Sequence, residues 1–339
     1  MSSARFIQDF KPRDCLDDLD KLNANAMARA LPDYLRSAAG LPIKNAKNAD
    51  LIRELQRDDF SLERFAREIS PTHRSVNSSD FAAAMGAALT QIIADHWTDL
   101  SARLDAFTRV VEVSTYRPES LLQFSFPEIT EAHELEEDEK VVYSTPTISA
   151  TATGTLKSYE TAITISRQLW ATHGAALATA TSDYAFQAHK LELRLLSDLL
   201  ISNPVLSDSE TLFTTDNSSA TAFSLSALDA GMAALQGHAL TPAALLVSPG
   251  KSATINTTLR QAGFDWPVVA SASLPAGSWF LFSNPVEHGS ILRLREKGSS
   301  RAPSVGWVNI DSSGRKGFYA AADLGFSAIS RAGVFRGGV

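Results

Sequence analysis

Two long segments of the chain repeat apolar residues at the spacing of an α-helix. The first follows Ser78 or Ser79, either of which can cap a helix, and its apolar face is formed by Phe81, Met85, Leu89, Ile92 and Ile93. The second is predicted to begin at a cap within Thr181–Asp183. It ends at Asn203-Pro204, because proline cannot continue the helical hydrogen-bond ladder. Its apolar positions are Tyr184, Ala188, Leu191, Leu195 and Leu199, widened by Leu196 and Leu200.

Other segments have the two-residue repeat of β-strands. Val110–Val113 predicts a strand that ends near Thr115, and Tyr159–Ile165 alternates apolar with polar or small residues. Between them, residues 127–160 join an acidic run, Glu131–Glu139, to a stretch rich in Thr, Ser and Val. This composition predicts a long hairpin-like excursion with little core of its own, of a kind that usually lies against a partner.

From Ser207 to Asn284, predicted helices and strands alternate. The helices are Ser226–Gln236 and Ser252–Ala262, and the strands are Ala243–Ser248 and Trp279–Ser283. The alternation predicts a small α/β domain inserted between two parts of another domain. Three more strands are predicted after it, at Ile291–Arg295, Gly306–Ile310 and Phe318–Phe326.

Charged residues are concentrated in the first part of the chain. Residues 1–79 hold 13 Lys and Arg and 12 Asp and Glu, whereas the other 260 residues hold 18 and 26. The first segment is predicted to contain short helices that are unstable alone in water, so they must pack on something. We therefore interpret it as an arm or leader lying on neighbouring molecules rather than as a separate domain.

One motif suggests nucleotide chemistry. A predicted strand runs into Gly250-Lys251-Ser252, but Leu245 stands where a phosphate-binding loop needs glycine, and Pro249 removes an amide donor. We interpret the motif as a buried strand followed by a helix that Ser252 caps. A nucleotide-binding enzyme that uses Gly250-Lys251-Ser252 is the least favoured alternative.

The other reactive residue types form no recognisable site. The run Glu131–Glu139 lacks the glycine and spacing of a calcium loop and is interpreted as solvated charge. The single cysteine, Cys15, excludes an internal disulfide framework and any multi-cysteine zinc site. His173 and His288 are not part of a nucleophile elbow. We predict no enzyme activity and no catalytic, cofactor-binding or metal-binding residue.

Two further classes of partner are disfavoured. Residues 80–339 carry a net charge of −8, whereas DNA binding depends on clustered Lys and Arg, so a surface could face nucleic acid without gripping it. The longest apolar stretch is Phe81–Leu89, far short of the roughly 20 residues of a membrane helix, and the first residues lack the apolar core of a secretion signal. We expect a soluble protein made inside the cell, with no membrane partner.

Short motifs in a fixed order resemble the major capsid proteins of tailed bacteriophages with the Hong Kong 97-type fold. More narrowly, they resemble the Mu-type major head subunit and the capsid part of prohead protease–capsid fusions. The motifs are Ser79–Phe81, Phe107–Thr115, Thr161–Gln168, Leu195–Pro204, Leu212-Phe213, Leu246–Pro249, Ala322–Phe326 and Arg331–Gly333. The resemblance covers about 260 of 339 residues and departs at Thr214–Asn217, which lacks the histidines of relatives.

The resemblance implies an α+β capsid fold with an N-terminal arm, an extended β loop, a long spine helix, a peripheral domain and an inserted α/β axial domain. The arm or leader is residues 1–79, the start of the peripheral domain 80–127, the extended loop 128–165, the spine helix region 166–206, the axial domain 207–290, and the return to the peripheral domain 291–339.

The same resemblance implies a structural protein that assembles with itself into hexamers and pentamers of an icosahedral phage head. Its other implied partners are double-stranded DNA, through non-specific contact with the inner face, and portal and decoration proteins. The implied locations are the virion capsid and, during assembly, the host cytoplasm. An encapsulin-like protein compartment is the open alternative. The residues predicted to act in assembly are Glu134, Glu136, Glu137, Asp138, Lys140, Lys157 and Arg167.

Overall fold

The computed structural model describes residue 33 and residues 93–125, 147–165, 174–298, 303–309 and 316–338. The chain divides into two compact units that alternate along the sequence. Unit 1 comprises Met1–Asp99, Tyr159–Ala188 and Ser300–Ala322, and unit 2 comprises Leu100–Ser158, His189–Ser299 and Asp323–Val339. Apart from Asp33, the predicted arm lies outside the described residues, as do Ser79–Phe81 and Glu131–Glu139.

Helices and strands both contribute to the structure. Helix α1 covers residues 93–105, α2 Gly174–Ser202, α3 Leu225–Gln236 and α4 Ser252–Gln261, and a 3₁₀ turn, Pro249–Lys251, precedes α4. The strands are β1 Arg109–Val113, β2 Glu119–Ser125, β3 Thr147–Gly154, β4 Lys157–Ile165, β5 Ser218–Ser219, β6 Pro242–Val247, β7 Val268–Ala270, β8 Trp279–Ser283, β9 Ile291–Glu296, β10 Ser304–Asn309, β11 Lys316–Ala328 and β12 Val334–Gly337. The predicted α+β class is confirmed. The hairpin, long helix and α/β segment that the resemblance implies are all present.

One sheet of unit 2 is covered on both faces. Its strands run in the order β5-β12-β8-β6-β7, with β8 antiparallel to both neighbours. Leu245 and Val247 of β6 belong to the apolar cluster that includes residues of α3 and α4, whereas Leu246 belongs to the opposite cluster with Leu196 and Leu200 of α2. A strand buried on both faces needs apolar residues throughout, and β6 and β8 are continuous runs of apolar or small residues. Both strands can therefore be predicted from the sequence.

A second group of strands in unit 2 surrounds β9. Strand β1 runs parallel to β9, and Gly325–Ala328 of β11 run antiparallel to it. Strands β2 and β3 form an antiparallel hairpin whose register shifts once. The base of the hairpin is tightly packed, since a Cβ added at Gly154 would come within 2.7 Å of both Leu121 and Leu294. The hairpin is therefore anchored in the core of unit 2.

Unit 1 contains another antiparallel pair of strands. Strand β10 pairs along its whole length with the first part of β11. Helix α1 contributes the buried side chains of Ile93 and Trp97, and α2 contributes Ala185. The strands predicted at Gly306–Ile310 and Phe318–Phe326 are confirmed within two residues at each end.

Helix α2 begins earlier than the sequence predicts. It starts at Gly174, so Thr181–Asp183 lie inside the helix and do not cap it. The reason is the alanine-rich segment Ala175–Ala180, whose high helix propensity extends the helix past these polar residues.

The C-terminal end of α2 is where the sequence predicts it. After Ser202, Asn203 adopts a left-handed conformation with φ of 47°. Its side-chain oxygen accepts a hydrogen bond from Phe213 N at 2.7 Å, and its Nδ2 donates to Phe213 O at 3.2 Å. Asn203 therefore ends the helix and fixes the Leu212-Phe213 turn beside it.

The buried face of α2 matches the predicted one only in part, since Ala188, Leu196 and Leu200 are buried as predicted. Tyr184, Leu191 and Leu195 are only half-buried, whereas Leu196 and Leu200 are fully buried. The fully buried face of α2 also contains polar residues. A search for apolar periodicity gives these residues no weight, so it misplaces the centre of the buried face around the helix.

Within the described part of the chain, no helix has the length and apolarity needed to cross a membrane.

Candidate functional site

Strand β9 buries two arginines, and they mark the candidate site. Leu292 and Leu294 belong to the apolar cluster that also contains the hairpin base. Successive side chains of a strand alternate between its faces, so Arg293 and Arg295 lie on the other face. There they are 1% and 6% exposed. Arginines buried to this degree need anionic partners.

Two helices supply those partners within unit 2. Arg293 donates a hydrogen bond to Ser101 Oγ at 3.2 Å and forms an ion pair with Asp105, both on α1. Arg295 forms an ion pair with Glu192 of α2, which is completely buried. We refer to Asp105, Glu192, Arg293 and Arg295 as the ion-pair cluster. Two carboxylates and two guanidiniums balance its charge.

Glu192 is the most strongly desolvated member of the ion-pair cluster. Burial raises the pKa of its carboxyl above the ordinary value, because lost solvation outweighs the attraction of Arg295 and Arg293. Burial likewise lowers the pKa of the Arg295 guanidinium, an effect that Glu192 partly offsets. Each charge is therefore tolerated because the other is in contact with it. Removing one partner would leave the second buried and unpaired.

His189 lies on the same buried side of α2, one turn before Glu192. Burial lowers its pKa to about 4, and the positive charges of Arg103 and Arg293 act in the same direction. Its Nδ1 has no hydrogen-bond partner in the described part of the chain. His189 is therefore neutral at pH 7 and adds no net charge to the ion-pair cluster.

We expect this neutral histidine to make the stability of the protein depend on pH. The pKa rises from about 4 in the folded state to the ordinary value of 6.5 on unfolding, so the unfolded state binds more protons between these values. The stability associated with neutral His189 is complete above pH 6.5. It falls by roughly 3 kcal/mol as the pH drops towards 4. Guanidinium unfolding of wild type and His189→Gln between pH 4 and 8 measures this loss, and parallel curves for the two proteins would contradict it.

The ion-pair cluster fixes the parts of α1 and α2 that lie in unit 2 against β9. A guanidinium donates along directions fixed by its planar geometry, so it holds its carboxylate in a narrow range of positions. Asp105 and Glu192 come from different helices and meet adjacent side chains on one face of a strand. The two ion pairs therefore hold both helices in fixed positions against the sheet.

The structure brings together different residues from those that the sequence predicts for assembly. Lys157 is exposed at the start of β4. Outside the described residues lie Glu134, Glu136, Glu137, Asp138, Lys140 and Arg167, and their role in assembly stays a prediction. Sequence reasoning missed the ion-pair cluster. Its one visible signal is in Ile291–Glu296, where two arginines alternate with leucines.

The Gly250-Lys251-Ser252 segment is exposed or half-exposed and forms the end of a 3₁₀ turn and the start of α4. The capping prediction for Ser252 is wrong, because the cap position is Lys251 and the Ser252 hydroxyl donates backwards to Pro249 O at 3.1 Å. Leu245 lies buried inside β6, as the interpretation of a buried strand requires. The described residues contain no group of three or more His, Cys, Asp or Glu that could hold a metal ion.

No protein-family model matches the chain, and no curated protein matches it by sequence. Among solved structures, the holo-SrpI encapsulin complex from Synechococcus elongatus PCC 7942 is 12% identical with a TM-score of 0.45, covering 80% of this chain and 93% of that chain. A phage-related protein from Bordetella bronchiseptica RB50 is 13% identical with a TM-score of 0.47, covering 73% and 95%. A virus-like particle from Pyrococcus furiosus is 9% identical with a TM-score of 0.46, covering 73% and 96%. The chain is similar to each of these proteins over most of its length.

Proposed function

We propose that this chain is a structural protein that forms a closed shell, and more specifically the major capsid protein of a phage head. The observation that carries the proposal is the place of the family-like motifs in the fold. Leu246–Pro249 begins in an internal strand of the unit 2 sheet, Leu195–Pro204 ends the long helix, and Ala322–Phe326 lies in β11. Each of these three motifs lies in the kind of element that the Hong Kong 97-type resemblance implies for it.

The β2–β3 hairpin supports a role in self-assembly. Leu122 is 49% exposed and Ile148 is 56% exposed, although both belong to a hairpin whose base is packed in a core. Large apolar side chains that are exposed in the subunit gain stability when a neighbouring molecule covers them. In a ring of identical subunits such contacts are heterologous, so they can close into hexamers and pentamers.

The proposal extends to the contents and partners of the shell. The particle would enclose double-stranded DNA through non-specific contacts, with portal and decoration proteins as further partners. The protein would act without enzyme activity, in the host cytoplasm during assembly and then in the virion capsid. The excess of acidic over basic residues is consistent with a shell whose surface faces DNA without binding it tightly.

Electron microscopy of the purified full-length chain tests the proposal. We expect closed particles of uniform diameter in negative stain, eluting far ahead of the 36.5 kDa subunit in size-exclusion chromatography. Absorbance spectra and nuclease treatment of particles isolated from cells then identify the contents. Protein cargo in place of DNA would favour the compartment alternative. A chain that stays monomeric at every concentration would overturn the proposal.

A further inference from the structure

Arg336 on β12 is a half-buried cation that has no anionic partner among the described residues. Its guanidinium carbon lies 5.6 Å from the centroid of the Phe213 ring. Its Nε is buried and has no hydrogen-bond partner in the described part of the chain. Arg336 also forms no ion pair with a described residue. The arginines in the described ion pairs are Arg194, Arg293, Arg295 and Arg331. Among the described arginines, those that lack a carboxylate are otherwise exposed.

The surroundings of Arg336 hold it in place. A guanidinium over an aromatic ring is attracted by the negative face of the ring. Hydrogen bonds through Asn217 fix strand β12, which carries Arg336. Arg336 N donates to Asn217 O at 3.0 Å. Asn217 Nδ2 donates to Leu212 O at 2.9 Å and to Val334 O at 3.2 Å. The cation is therefore positioned before any partner arrives, which lowers the entropy cost of binding one.

An unpaired guanidinium in this position has a cost. Burial lowers the pKa of Arg336, and no carboxylate among the described residues opposes that effect. Arg331 shows the usual solution a few residues earlier, where it forms an ion pair with Asp208. Arg336 has no such partner in the part of the subunit that the structure describes.

We propose that Arg336 binds a carboxylate of a second copy of this chain, an inference that rests on the proposed function. The chain holds 38 acidic against 31 basic residues, so a neighbouring copy offers more carboxylates than competing cations. A planar guanidinium binds one carboxylate through two parallel hydrogen bonds. Nucleic acid is disfavoured as the partner, because phosphate binding depends on several cations together and the nearby Arg331 is already paired.

Sedimentation velocity over a range of protein concentrations tests this inference. We expect Arg336→Gln to raise the concentration needed for self-association at least about tenfold, as expected for loss of a charge-assisted contact. The melting temperature of the dissociated subunit should stay the same or rise slightly, because an unpaired charge has been removed. The matched control is Arg260→Gln, which removes an exposed arginine of α4 and should leave association unchanged. Arg336→Lys keeps the charge without the planar geometry and should fall between the two.

The outcomes separate this inference from the proposed function. Particles of wild type together with unchanged association of Arg336→Gln would overturn the inference alone. A wild-type chain that never associates would overturn both. A loss of subunit stability in Arg336→Gln and Arg336→Lys, without weaker association, would show an internal role and contradict the inference. Fluorescence anisotropy with a labelled 20-base-pair DNA gives the last test, since a tenfold loss of DNA binding in Arg336→Gln would identify phosphate instead of carboxylate.

Discussion

Replacing Arg295 with methionine is expected to lower the free energy of unfolding by about 3–5 kcal/mol. The substitution leaves the fully buried carboxylate of Glu192 without its partner, and burial already disfavours the charged form of that carboxylate. Denaturation in urea with fluorescence detection at pH 7 measures the loss. The effect is large because solvent cannot reach Glu192 to replace the lost contact.

The double variant Arg295→Met with Glu192→Leu distinguishes the cost of an orphaned charge from the value of the pair. We expect it to recover most of the lost stability, because apolar side chains of similar size can fill the space of a buried ion pair. The matched control is Arg194→Gln, which breaks an exposed pair with Asp198 on the same helix. That change should cost no more than about 0.5 kcal/mol. A double variant as unstable as the single one would contradict the interpretation of the ion-pair cluster.

Shortening the β2–β3 hairpin is expected to abolish particle formation while the subunit stays folded. Ser125 and Thr147 are paired across the hairpin, so residues 126–146 can be replaced by a two-residue Asn-Gly turn without disturbing the register. The variant removes most of the predicted assembly residues. Negative-stain microscopy should show no particles, and circular dichroism should show a melting temperature within a few degrees of wild type.

The position of the deletion is set by the core of unit 2. A longer deletion that reaches Tyr159 would remove β3 and the buried Leu156, which packs with Leu121 and Leu294. Loss of particles would then reflect damage to the subunit. The control is a variant in which residues 126–146 are replaced by a Gly/Ser linker of equal length. Normal shells formed by the shortened hairpin would contradict the role of this segment in assembly.

The sequence predicts best the elements whose burial is uniform. Strand β8 is found at Trp279–Ser283 as predicted, because both of its faces are covered and every residue is apolar or small. The candidate site could not be found by the same criterion. A search for apolar faces gives no weight to His189 and Glu192 on α2, although both are buried as deeply as leucine. Only contacts between distant segments explain why these polar residues lie inside.

The short strands were missed for a related reason. Strand β5 has two residues and β12 has four, which is too short for a two-residue repeat to be recognised. Strand β12 owes its place to tertiary contacts: a Cβ added at Gly337 would collide with the Trp279 ring. Neighbouring strands, rather than local preference, specify such elements.

The position of β12 has a consequence for the timing of biosynthesis. This strand lies between β8 and β5. Arg336 of β12 pairs with Ser218 of β5, and the two residues are more than a hundred positions apart in the chain. A ribosome must therefore translate past Gly337 before the sheet can close, and pairing over such a separation slows folding. Until then, Trp279 and Phe280 of β8 lack the antiparallel partner that β12 supplies. If Arg336 binds a second copy as proposed, a subunit can present this guanidinium only after β12 has paired with β8 and β5.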